Sequence, residues 1–400
     1  LGPIRRLGAL ITVPTVAQFL RSTPPSALRS YFAALEAPLP PELPWDGPGH
    51  AIVTPLLQAV GALDDLARDK VLNDADRVGA MADEPGEAAL YSVTTSRSVL
   101  DSLENGHARA LWMFQHDLAG FSHAEEVRYA DDKRFGRLWE GFVLQPDCTV
   151  AREGAALQEF QGAIAERFDS RHVHVEICDR ARPVLGGDDA ALVQVAIYRE
   201  GRAGDIREFV GGKLDRRPWR PVIEAALTYE PDNGTVEVVA PMAETREELV
   251  RLFASQLLGS LFVGDRLRVR QYSLERLREA FGFPTDLEDG IEAVRVNQLR
   301  LMPYDDQSER ITLECRRGAD RTIWQVAEER LRDQGQRIEN YLIVQAQFTI
   351  TFRGTPGKRE RRTLPVRISM PKGCDLKDRT DRERLIGEKY LRRWGLLRDL

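Results

Sequence analysis

The chain has 400 residues, 42% hydrophobic and 30% charged, enough to bury a sizeable core and too apolar for a disordered or fibrous protein. Fifty-six basic against 62 acidic residues give a formal charge of −6. That balance excludes a surface that coats nucleic acid over its whole extent, while leaving room for a local basic face. The four cysteines, Cys148, Cys178, Cys315 and Cys374, are scattered with no Cys-x-x-Cys pair, so neither a thiolate zinc site nor a redox dithiol is expected.

Apolar runs are short. Leu7 to Val13 follows Arg5 and Arg6 but is stopped by Pro14, too early for a signal peptide or a membrane span, and a cytoplasmic protein of bacterial type is expected. Residues 15–36 carry Val16, Phe19, Leu20, Leu28, Tyr31, Phe32 and Leu35 at helical spacing, and Pro24-Pro25 predicts two short helices there. Prolines 38, 40, 41, 44 and 48 predict a linker over 37–49. Helical periodicity resumes over 52–72. It continues through 96–142, where Trp112, Phe114, Phe121, Tyr129, Phe135, Trp139 and Phe142 are expected to close a helical core. With a further helix at 153–167, residues 1–168 read as an all-helical domain.

The period then changes from 3.6 to 2. His172-Val173-His174-Val175-Glu176-Ile177 and residues 191–199 read as strands, and Asn233-Gly234 between two β-branched runs predicts a hairpin. Thr245 with Glu248 suggests a capping box opening the next helix. Two strands followed by a helix recur near 224–258, 293–334 and 342–395. Asp320-Arg321-Thr322 and Asp378-Arg379-Thr380 stand before the last two helices. The expected fold class is therefore α+β: the helical region, then a domain over 169–400 in which repeated ββα units form an antiparallel sheet with helices on one face.

Candidate chemistry is sparse. His172, His174 and Glu176 alternate along one strand, so one face presents two imidazoles and a carboxylate, the donors a metal-dependent hydrolase or nuclease would use. Asp205, Glu208 and Lys213 have the wrong spacing for a metal nuclease. Gly186-Gly187 and Gly211-Gly212 match no phosphate loop and read as turns. No nucleophile elbow occurs, and no cofactor is expected. His116 and His123, seven apart, would share a helix face if Gly120 did not interrupt it.

The clearest signal is electrostatic. Residues 353–400 hold fifteen basic and seven acidic residues, a net +8 that leaves −14 for the remainder. Lys358, Arg359, Arg361 and Arg362 would form a hairpin tip, with Arg382, Arg384, Lys389, Arg392 and Arg393 on the final helix. The expectation is a non-catalytic binding or regulatory protein whose basic C-terminal face meets nucleic acid or an acidic protein surface, with the helical region as an assembly module. The rivals are the metal enzyme and a structural subunit of a larger assembly. No membrane partner is expected.

Overall fold

The computed structural model describes residues 16–35, 39, 43–45, 49–183, 189–267, 270–304, 309–316, 320–333, 335–353, 362–370 and 373–399. The fold is mixed α+β with antiparallel sheets, and among the described residues no helix is long and apolar enough to cross a membrane. The described residues form two compact units, one running through Arg182 and from Asp189 to Asp265, the other comprising Pro183 and the residues from Arg266 onward. Most of the proline-rich stretch 37–49 lies outside the described residues.

The first unit begins with α1 (Val16–Ser22), α2 (Pro25–Ala34), α3 (Gly49–Ala62), α4 (Asp65–Ala80), α5 (Glu84–Val93), α6 (Arg97–Ser102), α7 (Gly106–His116) and α8 (Leu118–Lys133). Pro24 follows α1 and Pro25 opens α2, as expected, since a proline at the first helical position loses no intrahelical hydrogen bond. Phe19, Leu20, Leu28, Phe32, Leu56, Val71, Leu90, Leu111 and Phe121 form one buried helical core. Each such side chain contributes ~1.5–3 kcal/mol relative to exposure. The break between α7 and α8 falls at Asp117, not Gly120: its carboxylate caps α8 by accepting the Gly120 N–H at 2.9 Å.

Residues 1–168 are not wholly helical. Trp139–Val143 is a strand, β1, and is followed by α9 (Ala155–Arg167), β2 (Val173–Arg182), β3 (Ala190–Glu200), β4 (Gly204–Val210), β5 (Lys213–Trp219), β6 (Val222–Glu230), β7 (Thr235–Val239) and α10 (Ala243–Gln256). Five strands make an antiparallel sheet in the order β1-β7-β6-β3-β2, while β4 and β5 pair only with each other. Phe142 and Trp139 therefore serve this sheet instead of the helical core. The Asn233-Gly234 turn closes the β6–β7 hairpin. Gly234 takes φ +71°, and an added Cβ there would sit 2.2 Å from the Leu144 carbonyl oxygen, so only glycine fits. The expected Thr245 cap does not form. Helix α10 starts at Ala243, which leaves Thr245 buried inside its first turn and frees Glu248 to pair with Arg167 at 3.0 Å.

Helices cover both faces of this sheet, not one. Val175, Val195, Ile197, Leu227, Tyr229, Val236 and Val238 meet α9 and α10 through Phe160, Ile164, Leu249 and Phe253. The other face is polar and receives α8, with Arg180, Arg182, Gln194, Thr228 and Glu237 all buried.

The second unit holds β8 (Arg270–Tyr272), β9 (Ile291–Pro303), β10 (Ile311–Glu314), α11 (Ile323–Arg332), β11 (Tyr341–Phe352), β12 (Thr363–Ser369), β13 (Gly373–Cys374), α12 (Asp381–Arg393) and β14 (Leu397–Asp399). Its sheet runs β10-β9-β11-β12-β13, antiparallel throughout, and β14 pairs with β8. Leu299, Leu301, Ala346, Phe348, Ile350, Val366 and Ile368 face the buried Ile323, Ala327, Leu331, Tyr390 and Trp394 of α11 and the α12 end. Phe348 and Trp394 meet edge to face at 5.9 Å. The repeated Asp-Arg-Thr triplets acquire a physical cause, because Thr322 and Thr380 are the N-caps of α11 and α12.

Candidate nucleic-acid interface

The basic residues of α12 are largely committed within their own unit. The Lys389 ammonium lies 2.7 Å from Asp289 and 3.0 Å from Asp286, and Arg393 also pairs with Asp286. Hydrogen bonds from Arg393 and Lys389 hold Asp286 below the ordinary carboxylate range. Arg392 lies 3.7 Å from Glu388, Arg362 lies 3.2 Å from Glu383, and Arg384 is buried. Arg382 is exposed. Lys358, Arg359 and Arg361 lie outside the described residues.

A different set of cations is presented by the sheet. Strand alternation that turns Leu299 and Leu301 into the core turns Gln298 and Arg300 to the opposite face. Register then places Arg300 opposite Gln345, Gln298 opposite Gln347, Gln347 opposite Arg367 and Gln345 opposite Ser369. Thr312 stands beside Arg300 and Glu314 beside Gln298 on β10. Both α-helices of this unit lie on the other, apolar face. Arg300 and Arg367 are exposed and make no ion pair among the described residues. Arg295 is turned aside, donating to the Arg321 carbonyl at 2.7 Å. The result is a band of amide, hydroxyl and guanidinium groups able to donate and accept hydrogen bonds along two neighbouring rows. Sequence reasoning missed Arg300, Gln298, Gln345 and Gln347. The signal that finds them is alternation with the apolar residues, read for the outward face.

The strand with the histidines is placed differently from a metal site. His172 precedes β2 and is exposed, whereas His174 and Glu176 lie on β2, with His174 Nε2 2.8 Å from Glu176 Oε1. Among the described residues, no three His, Cys, Asp or Glu side chains are placed to hold a metal ion. Glu176 instead faces α8, where His123 lies 3.8 Å away and Glu126 is buried. Tyr198 donates to Glu126 at 2.7 Å. Burial first, and the neighbouring Glu176 next, push the Glu126 carboxyl up to about 8 despite that hydrogen bond. Burial likewise pushes the Cys178 thiol up to about 12, which makes it a packing residue and a poor nucleophile.

Next to this group is a closed ion network. Arg180 donates twice to Asp131, at 2.8 and 2.9 Å, while Arg182 reaches Glu237 at 3.0 Å and Asp131 at 3.5 Å. Arg134 grips Glu237 with two nitrogens, and Trp139 Nε1 donates to it at 3.2 Å. Burial alone would raise Glu237, yet Arg134 and Arg182 hold it far below the carboxylate range. These charges fasten α8 to the sheet and are not offered to a partner.

No protein-family model matches the chain, and no curated protein matches it.

Proposed function

We propose that the chain is a non-catalytic binding or regulatory protein whose C-terminal unit contacts nucleic acid through the polar face of the β9–β12 sheet. The observation that carries this reading is the pair Arg300 and Arg367, exposed on a face otherwise rich in Gln, Ser and Thr. Guanidinium groups contact phosphates and base edges, and glutamine amides reach base edges, so this combination suits a polyanion better than an apolar surface. In sequence, Lys358, Arg359, Arg361 and Arg362 fall between β11 and β12. The same reading takes the three stretches of two strands and a helix as copies of one ββα unit. It takes the N-terminal helices as an assembly module and the protein as cytoplasmic and of bacterial type.

The test is fluorescence anisotropy of the full chain with labelled single- and double-stranded oligonucleotides over a range of salt concentration. Combining Arg300→Gln with Arg367→Gln is expected to lower the slope of log affinity against log salt by about 1.4 for a single strand, as two phosphate contacts would. Absence of binding at low salt, or an unchanged slope in the double variant, overturns the reading.

A further inference from the structure

The β4–β5 ribbon spends its side chains in an unusual way. It is a two-stranded antiparallel hairpin closed by Gly211 and Gly212, which take φ +56° and +77°, the left-handed pair a tight two-residue turn requires. An isolated two-stranded hairpin gains little from water alone. This one nevertheless leaves Phe209, Val210 and Leu214 exposed at its tip, with Phe209 76% exposed.

Register sorts the ribbon into two faces. On one, Phe209 stands opposite Leu214 and, two residue pairs further from the turn, Arg207 stands opposite Arg216. On the other, Glu208 stands opposite Asp215, and Arg217 lies 3.3 Å from Glu208. Like charges directly opposed on one face repel, and the second face relieves its acidic pair with Arg217. The first face has no such relief: neither Arg207 nor Arg216 has an ion-pair partner among the described residues.

We propose that this ribbon is a second contact arm for double-stranded DNA, an inference that rests on the nucleic-acid reading above. The opposed guanidiniums would each reach a phosphate, one on either side of a groove, and relieve their mutual repulsion. Phe209 and Leu214 would press against the base pairs between those phosphate rows. Apolar side chains carried into a minor groove between basic residues unstack a base step and bend the duplex. A groove bordered by two phosphate rows is the partner that answers both the opposed cations and the apolar tip. The wide, shallow minor groove of duplex RNA offers no such narrow slot between phosphate rows. The glycines keep the turn thin, and no described helix fills the space at the tip, where all six residues from Phe209 to Leu214 are exposed.

The experiment uses the full chain and a duplex DNA of about 20 base pairs carrying donor and acceptor dyes at its ends. Combining Arg207→Gln with Arg216→Gln is expected to weaken duplex binding about tenfold and to lower the salt slope by about 1.8, as two duplex phosphate contacts would. Combining Phe209→Ser with Leu214→Ser is expected to leave that slope unchanged and to abolish the energy-transfer change that reports bending. All four side chains are exposed, so circular dichroism should match the parent chain. If both double variants bind and bend duplex as the parent does, while Arg300→Gln with Arg367→Gln weakens binding, the arm is overturned and the C-terminal reading stands. If the parent binds no oligonucleotide, both fail. Cosedimentation with phosphatidylserine vesicles, or a dimer dissociated by the Phe209 and Leu214 changes, would then assign the tip to a membrane surface or to a second copy.

Discussion

The two five-stranded sheets both carry polar side chains on one face but place them in opposite circumstances. In the first, α8 covers the polar face, and its buried arginines meet counter-charges: Arg180 and Arg182 meet Asp131, while Arg134 and Arg182 meet Glu237. In the second, both helices lie on the apolar face, and Arg300 and Arg367 are left in water. A charge removed from water must be matched within the fold, whereas one left in water can be matched later by something that arrives. The same residue types therefore mean closure in one sheet and recognition in the other.

That contrast is broken most directly at Glu237. Replacing it by Ala strips the shared counter-charge from Arg134 and Arg182, and loss of one member of a buried pair costs ~3–5 kcal/mol. Arg300→Gln, on the open face, should stay within about 0.5 kcal/mol of the parent. Urea unfolding of the two variants checks this. Equal costs would mean that the covered and open faces do not differ in the way described.

The next effect is a pH dependence confined to the first sheet. Glu126 rises to about 8 in the folded chain from 4.5, so between those values the native state holds a proton that the unfolded chain has released. Stability is thus full below about 4.5 and is lost as pH rises towards 8, with a slope of at most about 1.4 kcal/mol per pH unit. Tyr198 and Glu176 neighbour this carboxyl, and His123 and His174 contact Glu176 in turn, so the diagnostic quantity is the difference between the parent chain and Glu126→Gln. The variant should show a flatter profile from pH 5 to 8. Parallel profiles would remove Glu126 as the titrating group.

Where the sequence was legible, the cause was local. The Asn233-Gly234 hairpin, the proline break after α1, and the alternation along β2 and β3 each depend on neighbours within a few residues. The unread parts depend on distance. Arg180 and Asp131 are 49 positions apart and Tyr198 and Glu126 are 72 apart, so no spacing rule pairs them. Strand β1 was absorbed into a helical stretch because five residues rich in aromatics look alike in either period until β7 supplies their hydrogen bonds. The β4–β5 ribbon escaped notice because it buries neither face, and the alternation that betrays a strand is a pattern of burial. Metal ligation was inferred from the parity of His172, His174 and Glu176. Parity correctly placed His174 and Glu176 on one face but could not foresee that α8 would bring Glu126 to it.

The smallest expected effect separates two helix starts that look identical in sequence. Thr322 accepts the Gln325 N–H at 3.3 Å while the Gln325 side chain accepts the Thr322 N–H at 2.8 Å, a reciprocal pair. Thr380 accepts the Glu383 N–H at 3.3 Å, but the Glu383 carboxylate turns to Arg362 at 3.2 Å. Losing either threonine hydroxyl should cost ~1 kcal/mol. The partners distinguish them: Thr322→Ala and Gln325→Ala remove one shared motif and should be non-additive by about 0.5 kcal/mol, whereas Thr380→Ala and Glu383→Ala remove independent contacts and should add. Double-mutant cycles by urea unfolding measure this directly. Coupling of equal size at both helices would mean that Glu383 completes a capping box in solution and that its pairing with Arg362 is secondary.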